Sequence, residues 1–504
     1  MTDATPTPQG VQFPATSGGR RTSETGRRVF AAAASAVDRD LAGRIRDADA
    51  WHERYADLLC ELTRAELQRP GDDPEAAPRA GLDAVHASFT FHRGDTERSL
   101  ADALTMPAEL ELQTTTVRGR GQPARELEIP YAGRLLRGDD LRHQLRAWVT
   151  AGTIEPSAAA SVELVAANPD WLDLSDLRVV VLGAASEMGP LGHLLRWGAT
   201  VVPVDLPRPR LWERILGAVR EGTGEAQLPV RHRVDPDDHA ALAVVAGADL
   251  ATEVPELAAW LSGQEHLDVV GTYVYADGAD NVRVSLAADV LATELTRRHP
   301  DTTLAGLLTP TDVYAAPVPA VEAAVGRLTS GGLASRTANR VSRGRGFRPQ
   351  YEDLVRTPDG EEFGLADGQV PQQGPNYALA KRLARWRFRV ARADGIAVSA
   401  NVAPATSTRS VTSNRLLAAA YAGAHHFGVE VFAPETSTAL MAAMLVRDLR
   451  DPLAPGRPEV TLGHPLGLFA DAAAHGGLWR LPWAPRSVLP LAAVLGLPRT
   501  LRTG

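Results

Sequence analysis

The chain has 504 residues, with a hydrophobic fraction of 44% and a charged fraction of 23%, values ordinary for a globular protein with ample chain to bury large cores. Its formal net charge of −8 argues against a nucleic-acid or anionic-membrane surface, and its single cysteine, Cys60, excludes an internal disulfide. No Cys/His cluster has zinc spacing, no apolar run reaches membrane-spanning length, and the N-terminus lacks the charged start and apolar core of a secretory signal. A cytoplasmic protein with no metal, membrane or nucleic-acid partner is therefore expected.

Residues 1–22, rich in Pro, Thr, Gly and Ser, read as a disordered lead. From Glu24 to Leu67 apolar residues such as Val29, Ala33, Val37, Leu41 and Ile45 recur at helical spacing. Alternation in Glu109–Gln113 and in Glu126–Tyr131 predicts two strands joined by a turn at 118–122, and more helix is expected through 139–168. Residues 23–170 are read as one α+β domain. From Leu177 the pattern changes: strand candidates are Arg178–Leu182, Thr200–Asp205, Leu242–Ala246, Leu267–Tyr275, Thr303–Leu308, Ile396–Ala400 and Val429–Phe432. Helical stretches separate most of them, notably 282–298 and 376–394. This alternation predicts an α/β domain over 171–450 with a Rossmann-like, doubly wound parallel sheet. Residues 312–372, rich in Gly, Arg, Ser and Pro, interrupt it as an expected long loop or lid, and 451–504 is expected to pack back on the sheet domain.

Between the first strand and helix of this domain lies Gly183-Ala-Ala-Ser-Glu-Met-Gly189. A glycine turn here lets backbone approach a pyrophosphate, with Gly183, Ser186, Met188 and Gly189 as the cofactor-facing candidates. Glu187 stands where the pattern Gly-x-x-x-Gly-x-Gly has its middle glycine, and a carboxylate there repels a pyrophosphate unless it points away. Asp205 ends the second strand, where an acidic side chain takes the ribose hydroxyls of NAD. Arg208 and Arg210 follow and offer partners for a 2′-phosphate, so NAD is preferred weakly and NADP stays open. Asp249 lies where a strand end can touch the adenine, although a solvated aspartate fits equally.

Of the 53 Lys and Arg residues only Lys381 is a lysine, and it follows Tyr377 by four. Pro375 suits the first helical position and Gly395 the position past the helix end, which puts Tyr377 and Lys381 on one helical face. An ammonium beside a phenol stabilises the phenolate and lowers its pKa toward useful acid–base strength. A lysine there can also hold a nicotinamide ribose. The following strand continues into Asn401-Val-Ala-Pro404-Ala-Thr406-Ser-Thr408.

In family order, these elements resemble the short-chain dehydrogenase/reductase family over roughly 177–445: a glycine turn, an acidic second-strand end, Tyr-x-x-x-Lys, then Gly-Ile-x-Val-x-x-Asn-x-x-Pro before a threonine. The resemblance implies an NAD(P)-dependent oxidoreductase that interconverts a carbonyl and an alcohol of a small-molecule substrate. Tyr377 would be its general acid/base, tuned by Lys381, and Pro404, Thr406 and Thr408 would line the nicotinamide and its phosphates. The chain departs from the family in reading Tyr273-Val-Tyr-Ala-Asp-Gly278 after the fourth strand, and in having no serine in the dozen residues before Tyr377. Thr309 or Thr311, at the expected end of the fifth strand, would then supply the missing hydroxyl, and Asn281 would replace the family's helix asparagine or simply cap a helix. A non-catalytic NAD(P)-binding protein, or an enzyme modifying a nucleotide-linked substrate on the same fold, are the alternatives; a homodimer is open.

Overall fold

The structure, a computed structural model, describes residues 9–15, 19–69, 73–330 and 347–500. Parts of the expected lead (1–8, 16–18) and of the expected lid (331–346) lie outside the described residues. Within that lead, Gly10–Gln12 is strand β1 rather than disordered chain, because Val11 and Phe13 are apolar anchors buried in the core. It pairs antiparallel with β2 (Thr90–Arg93), which pairs with β3 (Thr96–Ser99). Helices Thr22–Ser35, Arg39–Arg46 and Trp51–Gln68 realise the helical periodicity expected over Glu24–Leu67, and a further helix, Ala76–Ser88, follows.

The strands expected at Glu109–Gln113 and Glu126–Tyr131 form only from Gln113 and Ile129 onward, and they do not pair with each other. β4 (Gln113–Arg118) runs antiparallel to a later strand, while β5 (Ile129–Tyr131) and β6 (Arg134–Leu136) make their own hairpin. The turn signal at Gly119 and Gly121 belongs instead to a close crossing over the backbone of Glu221 and Gly222, where a Cβ would fall about 2 Å from a carbonyl oxygen.

The central sheet contains β4, β7 (Arg178–Leu182), β8 (Thr200–Val204), β9 (Glu225–Val230), β10 (Val269–Thr272) and β11 (Thr303–Leu308). A smaller antiparallel sheet, order β12-β14-β13, is formed by β12 (Val313–Pro317), β13 (Val355–Arg356) and β14 (Glu362–Asp367), and β15 (Val398–Val402) returns to the large one. The large sheet has the order β15-β11-β10-β7-β8-β9-β4, parallel throughout except for β4 on its edge. Its inner strands are apolar on both faces, as parallel strands covered by helices must be. Val180 and Leu182 enter the core shared with the N-terminal helices and helices Gly278–Arg298 and Gly374–Ala393. Val179 and Val181 enter the opposite core, with helices Gly138–Ala151, Pro156–Ala167 and Pro434–Arg450.

Three expected elements are corrected. Leu242–Ala246 lies mostly in helix His239–Val245, whose start is capped by the Asp238 side chain on the Ala241 N–H. Val429–Phe432 contributes only an isolated parallel bridge, Thr406 to Phe432. The 312–372 segment is not a bare loop, since it carries helix Val318–Ser330 besides the small sheet. The tail contacts the chain before the sheet domain: buried Glu155 accepts bonds from His475 Nε2 at 3.0 Å and from Arg480 at 2.7 and 2.9 Å.

Candidate functional site

Gly183, Asp205, Tyr273, Thr309 and Ala403 each follow directly on a parallel strand, so their segments share the sheet's carboxyl edge. Between β7 and β10 the chain order reverses direction across the sheet, which is where open α/β sheets leave a crevice. Gly183 has φ +82°, and a Cβ on it would lie 3.0 Å from the Val274 backbone. Glycine is thus required at this turn both by conformation and by close approach. Gly189 has no such constraint, its nearest neighbour to a built Cβ being the Ser186 oxygen at 3.3 Å.

The turn's amides are largely engaged within the protein. Gly183 and Ala184 donate to the Val204 carbonyl, Ser186 to that of Gly183 and Gly189 to that of Ser186. Asp205 accepts from Ala185 N–H at 2.7 Å and from Leu206 N–H at 2.8 Å, which ties the second strand end to the turn. Burial raises its pKa, against the lowering effect of these amides and of Arg214 and Arg208. Met188 packs against the core beneath the turn. Asp249 caps its own turn through the Ala251 N–H at 2.8 Å, and Ala248 N–H bonds the Asp205 carbonyl, so the two acidic segments adjoin. Glu187 reaches the segment that follows β15, accepting the Arg409 backbone N–H at 2.9 Å with the guanidinium 3.6 Å away.

At the other end of the edge, helix Gly374–Ala393 starts with Pro375 in its first turn and presents Tyr377 and Lys381 together. The Tyr377 hydroxyl donates to Thr309 Oγ1 at 2.8 Å, and Thr309 Oγ1 lies 2.7 Å from Thr311 Oγ1. The Tyr314 hydroxyl holds the Thr309 carbonyl at 2.6 Å, fixing the turn after β11. Both threonines therefore meet Tyr377 despite the more than sixty residues between them in sequence. Lys381 Nζ lies 5.6 Å from the Tyr377 ring centre and 5.9 Å from that of Tyr275. No hydrogen bond or ion pair reaches it among the described residues.

The electrostatics differ from the sequence expectation. Burial raises the Tyr377 pKa, and the hydroxyls of Thr309 and Thr311 and the side chain of Gln373 only partly oppose this. Burial also lowers Lys381 to about 8. Behind them Asp312 is held by Arg382 at 2.7 Å and Arg385 at 3.1 Å, all three buried. Tyr55, Gln369, Val370 and Gln373 close the site into a cavity of about 10 Å³, room for roughly one water.

Asn281 is buried at the start of helix Gly278–Arg298, where its Oδ1 accepts from Ala276 N–H at 3.2 Å and its Nδ2 has no partner among the described residues. Thr406 is tied to Ser437 Oγ at 2.7 Å, Pro404 is buried, and Thr408 pairs with Ser410 at 2.9 Å. Sequence reasoning missed Tyr275, Gln369, Gln373 and Tyr55. Tyr275 sat in the departing Tyr273–Gly278 stretch, but the others come from distant segments that carry no local signal.

No family model and no curated protein matches the chain. Among solved structures, it is similar to the terminal R domain from the myxalamid PKS-NRPS biosynthetic pathway, at 12% identity and a TM-score of 0.29, over 52% of this chain and 60% of that one. The chain thus spans less than two thirds of that domain. Fold and edge together describe a mixed α/β protein with a seven-stranded, mostly parallel sheet flanked by helices. Among the described residues no helix is long and apolar enough to cross a membrane, and no group of three or more His, Cys, Asp or Glu is placed to hold a metal ion.

Proposed function

We propose that the chain is an NAD(P)-dependent oxidoreductase of Rossmann-like, short-chain dehydrogenase/reductase type, interconverting a carbonyl and an alcohol. The observation that carries this reading is the Tyr377–Thr309 hydrogen bond at 2.8 Å beside Lys381, which no carboxylate pairs among the described residues, at the carboxyl edge of a parallel sheet. The strand order β9-β8-β7-β10-β11-β15 supports it, being the 3-2-1-4-5-6 order of dinucleotide-binding sheets. Gly183 with Asp205 would hold the adenosine end, and Lys381 the nicotinamide ribose. When bound, the cofactor supplies or accepts the hydride.

The chain's own residues handle the proton. Tyr377 gives its hydroxyl proton to the substrate oxygen in reduction and recovers it in oxidation, while Thr309 keeps the phenol aimed. Thr311 extends the hydroxyl pair and offers a second donor to the substrate oxygen. Burial raises the phenol, so the free site holds Tyr377 protonated, the form that donates to a substrate oxygen. The turn amides and both Asp205 oxygens have partners within the protein, so a dinucleotide at this turn has to displace or share those bonds.

Titration with NADH and NADPH, then a carbonyl panel, tests the proposal. Tyr377→Phe is expected to keep folding and cofactor binding while turnover falls about 10²–10⁴-fold. Full activity in that variant would end the mechanism, and cofactor binding without turnover on any carbonyl would favour the binding protein.

A further inference from the structure

Glu187 breaks the glycine pattern of the turn, yet the structure gives it a definite partner. The chain leaving β15 runs back over the sheet's carboxyl edge, and its residues 408–412 reach the turn that follows β7. There the Glu187 carboxylate accepts the Arg409 N–H at 2.9 Å and lies 3.6 Å from the Arg409 guanidinium, while its carbonyl takes the Thr438 hydroxyl at 3.3 Å. Next along the strap, Ser410 lies near the Tyr275 hydroxyl, which itself donates to Asp277 at 3.0 Å and whose ring lies 5.9 Å from Lys381 Nζ. The strap thus crosses from the glycine turn toward the Tyr377–Lys381 pair, over the path a dinucleotide would follow between them.

We infer that Glu187 and Arg409 form a latch across this cleft, and that Arg409 takes the diphosphate of a dinucleotide once Glu187 releases it. The inference rests on the reading of the chain as a dinucleotide-binding protein. Its chemistry is an exchange of charge partners: the guanidinium faces Glu187 at 3.6 Å as an ion pair without a hydrogen bond, and its fork of N–H donors suits phosphate oxygens. Arg409 has 71% of its side chain exposed and Glu187 28%, so the pair is solvated, weak and readily exchanged. A diphosphate carries more charge than one carboxylate and competes for the same cation. It also cannot sit beside Glu187 without like-charge repulsion, since the turn's amides are largely engaged within the protein.

The test is a binding titration of the full chain with NADH and NADPH in wild type, Glu187→Gln and Arg409→Gln, with adenosine as the phosphate-free probe and thermal melts as the folding control. Glutamine keeps the oxygen that accepts the Arg409 N–H and removes only the charge. Glu187→Gln is expected to bind the dinucleotide about tenfold tighter and Arg409→Gln about tenfold weaker, with adenosine unchanged in both. Wild-type binding that Glu187→Gln leaves equal or weakens would overturn the latch and leave the dinucleotide reading standing. Wild-type affinity in Arg409→Gln would overturn the exchange, as would parallel changes in adenosine binding. Dinucleotide binding by none of the three proteins would overturn the functional reading and the latch together.

Discussion

Lys381, itself half-buried, stands apart from the buried cations of this chain. Arg382, Arg385, Arg389 and Arg447 each face a carboxylate, whereas Lys381 has two aromatic rings and no acidic partner among the described residues. Burial therefore acts on it unopposed and lowers it to about 8. An unfolded lysine titrates near ~10.4, so between these values the folded chain binds fewer protons than the unfolded one, and stability rises with pH there. Below pH about 8 the ammonium costs stability in full. Lys381→Met should accordingly melt above wild type at pH 7 and lose that advantage as pH approaches ~10.4; equal melting curves throughout would refute the burial argument. The Tyr377–Lys381 pair was legible because helical spacing and a unique residue type are both local facts. Its electrostatics were not, because the sign of the Tyr377 shift depends on how much distant chain buries the phenol. The partner hydroxyl was legible only as a choice, and the turn fixed by Tyr314 lets both threonines take part.

Helix Gly374–Ala393 is the element that carries Tyr377 and Lys381, and packing on several sides holds it. Trp386 lies against Gly81 of helix Ala76–Ser88 so closely that a Cβ there would fall 2.4 Å from the indole, and Phe388 packs as tightly on Gly306 of β11. Gly81 sits at ordinary helical φ, so an alanine is favoured by helix propensity, and only the indole opposes it. The clash is larger than side-chain adjustment absorbs. Gly81→Ala is expected to destabilise the fold by about 1–3 kcal/mol, the usual cost of overpacking, where propensity alone gives the opposite sign. A denaturant melt decides between them. The strands of this sheet were legible as apolar runs, Arg178–Leu182 and Thr303–Leu308 to the residue. β9 was missed because Pro229 speaks against a strand. It is tolerated there because β8 pairs only with Glu225 and Ala226, leaving the proline beyond that ladder. Leu242–Ala246 shows the converse, a short apolar run that period alone cannot divide between strand and helix.

At the scale of the whole molecule, the first hundred residues hold buried charges of the sheet's own helices. Arg389 is 2% exposed and is paired with Glu66 at 2.6 Å and Glu75 at 2.8 Å, both from the N-terminal helices or their approach. Asp289 is bound by Arg387 at 2.7 Å and by His86 at 2.7 Å; burial pushes its pKa up, but these two partners outweigh it and hold the carboxyl well below its ordinary range. A depressed carboxylate contributes stability above its unfolded pKa of about 3.9 and loses that contribution as pH falls through the folded value. Asp289→Asn should therefore destabilise the chain strongly at pH 7, by about 3–5 kcal/mol as when one partner of a buried pair is removed, with a difference that narrows toward strong acid. The same accounting bears on truncation. A chain begun at residue 171 would keep Arg389 and Trp386 but lose Glu66, Glu75 and the apolar cover of Phe30 and Gly81. It would also lose β4, uncovering the edge of β9. Such a fragment is expected to be insoluble or to melt without cooperativity, and Tyr377 and Lys381 with it, because the helix that carries them would expose a guanidinium built to be buried. A fragment that melts cooperatively near the full-length temperature and still binds NADH would show instead that the N-terminal stretch is an appended layer, and would move the search for its role from holding the site together to choosing the substrate.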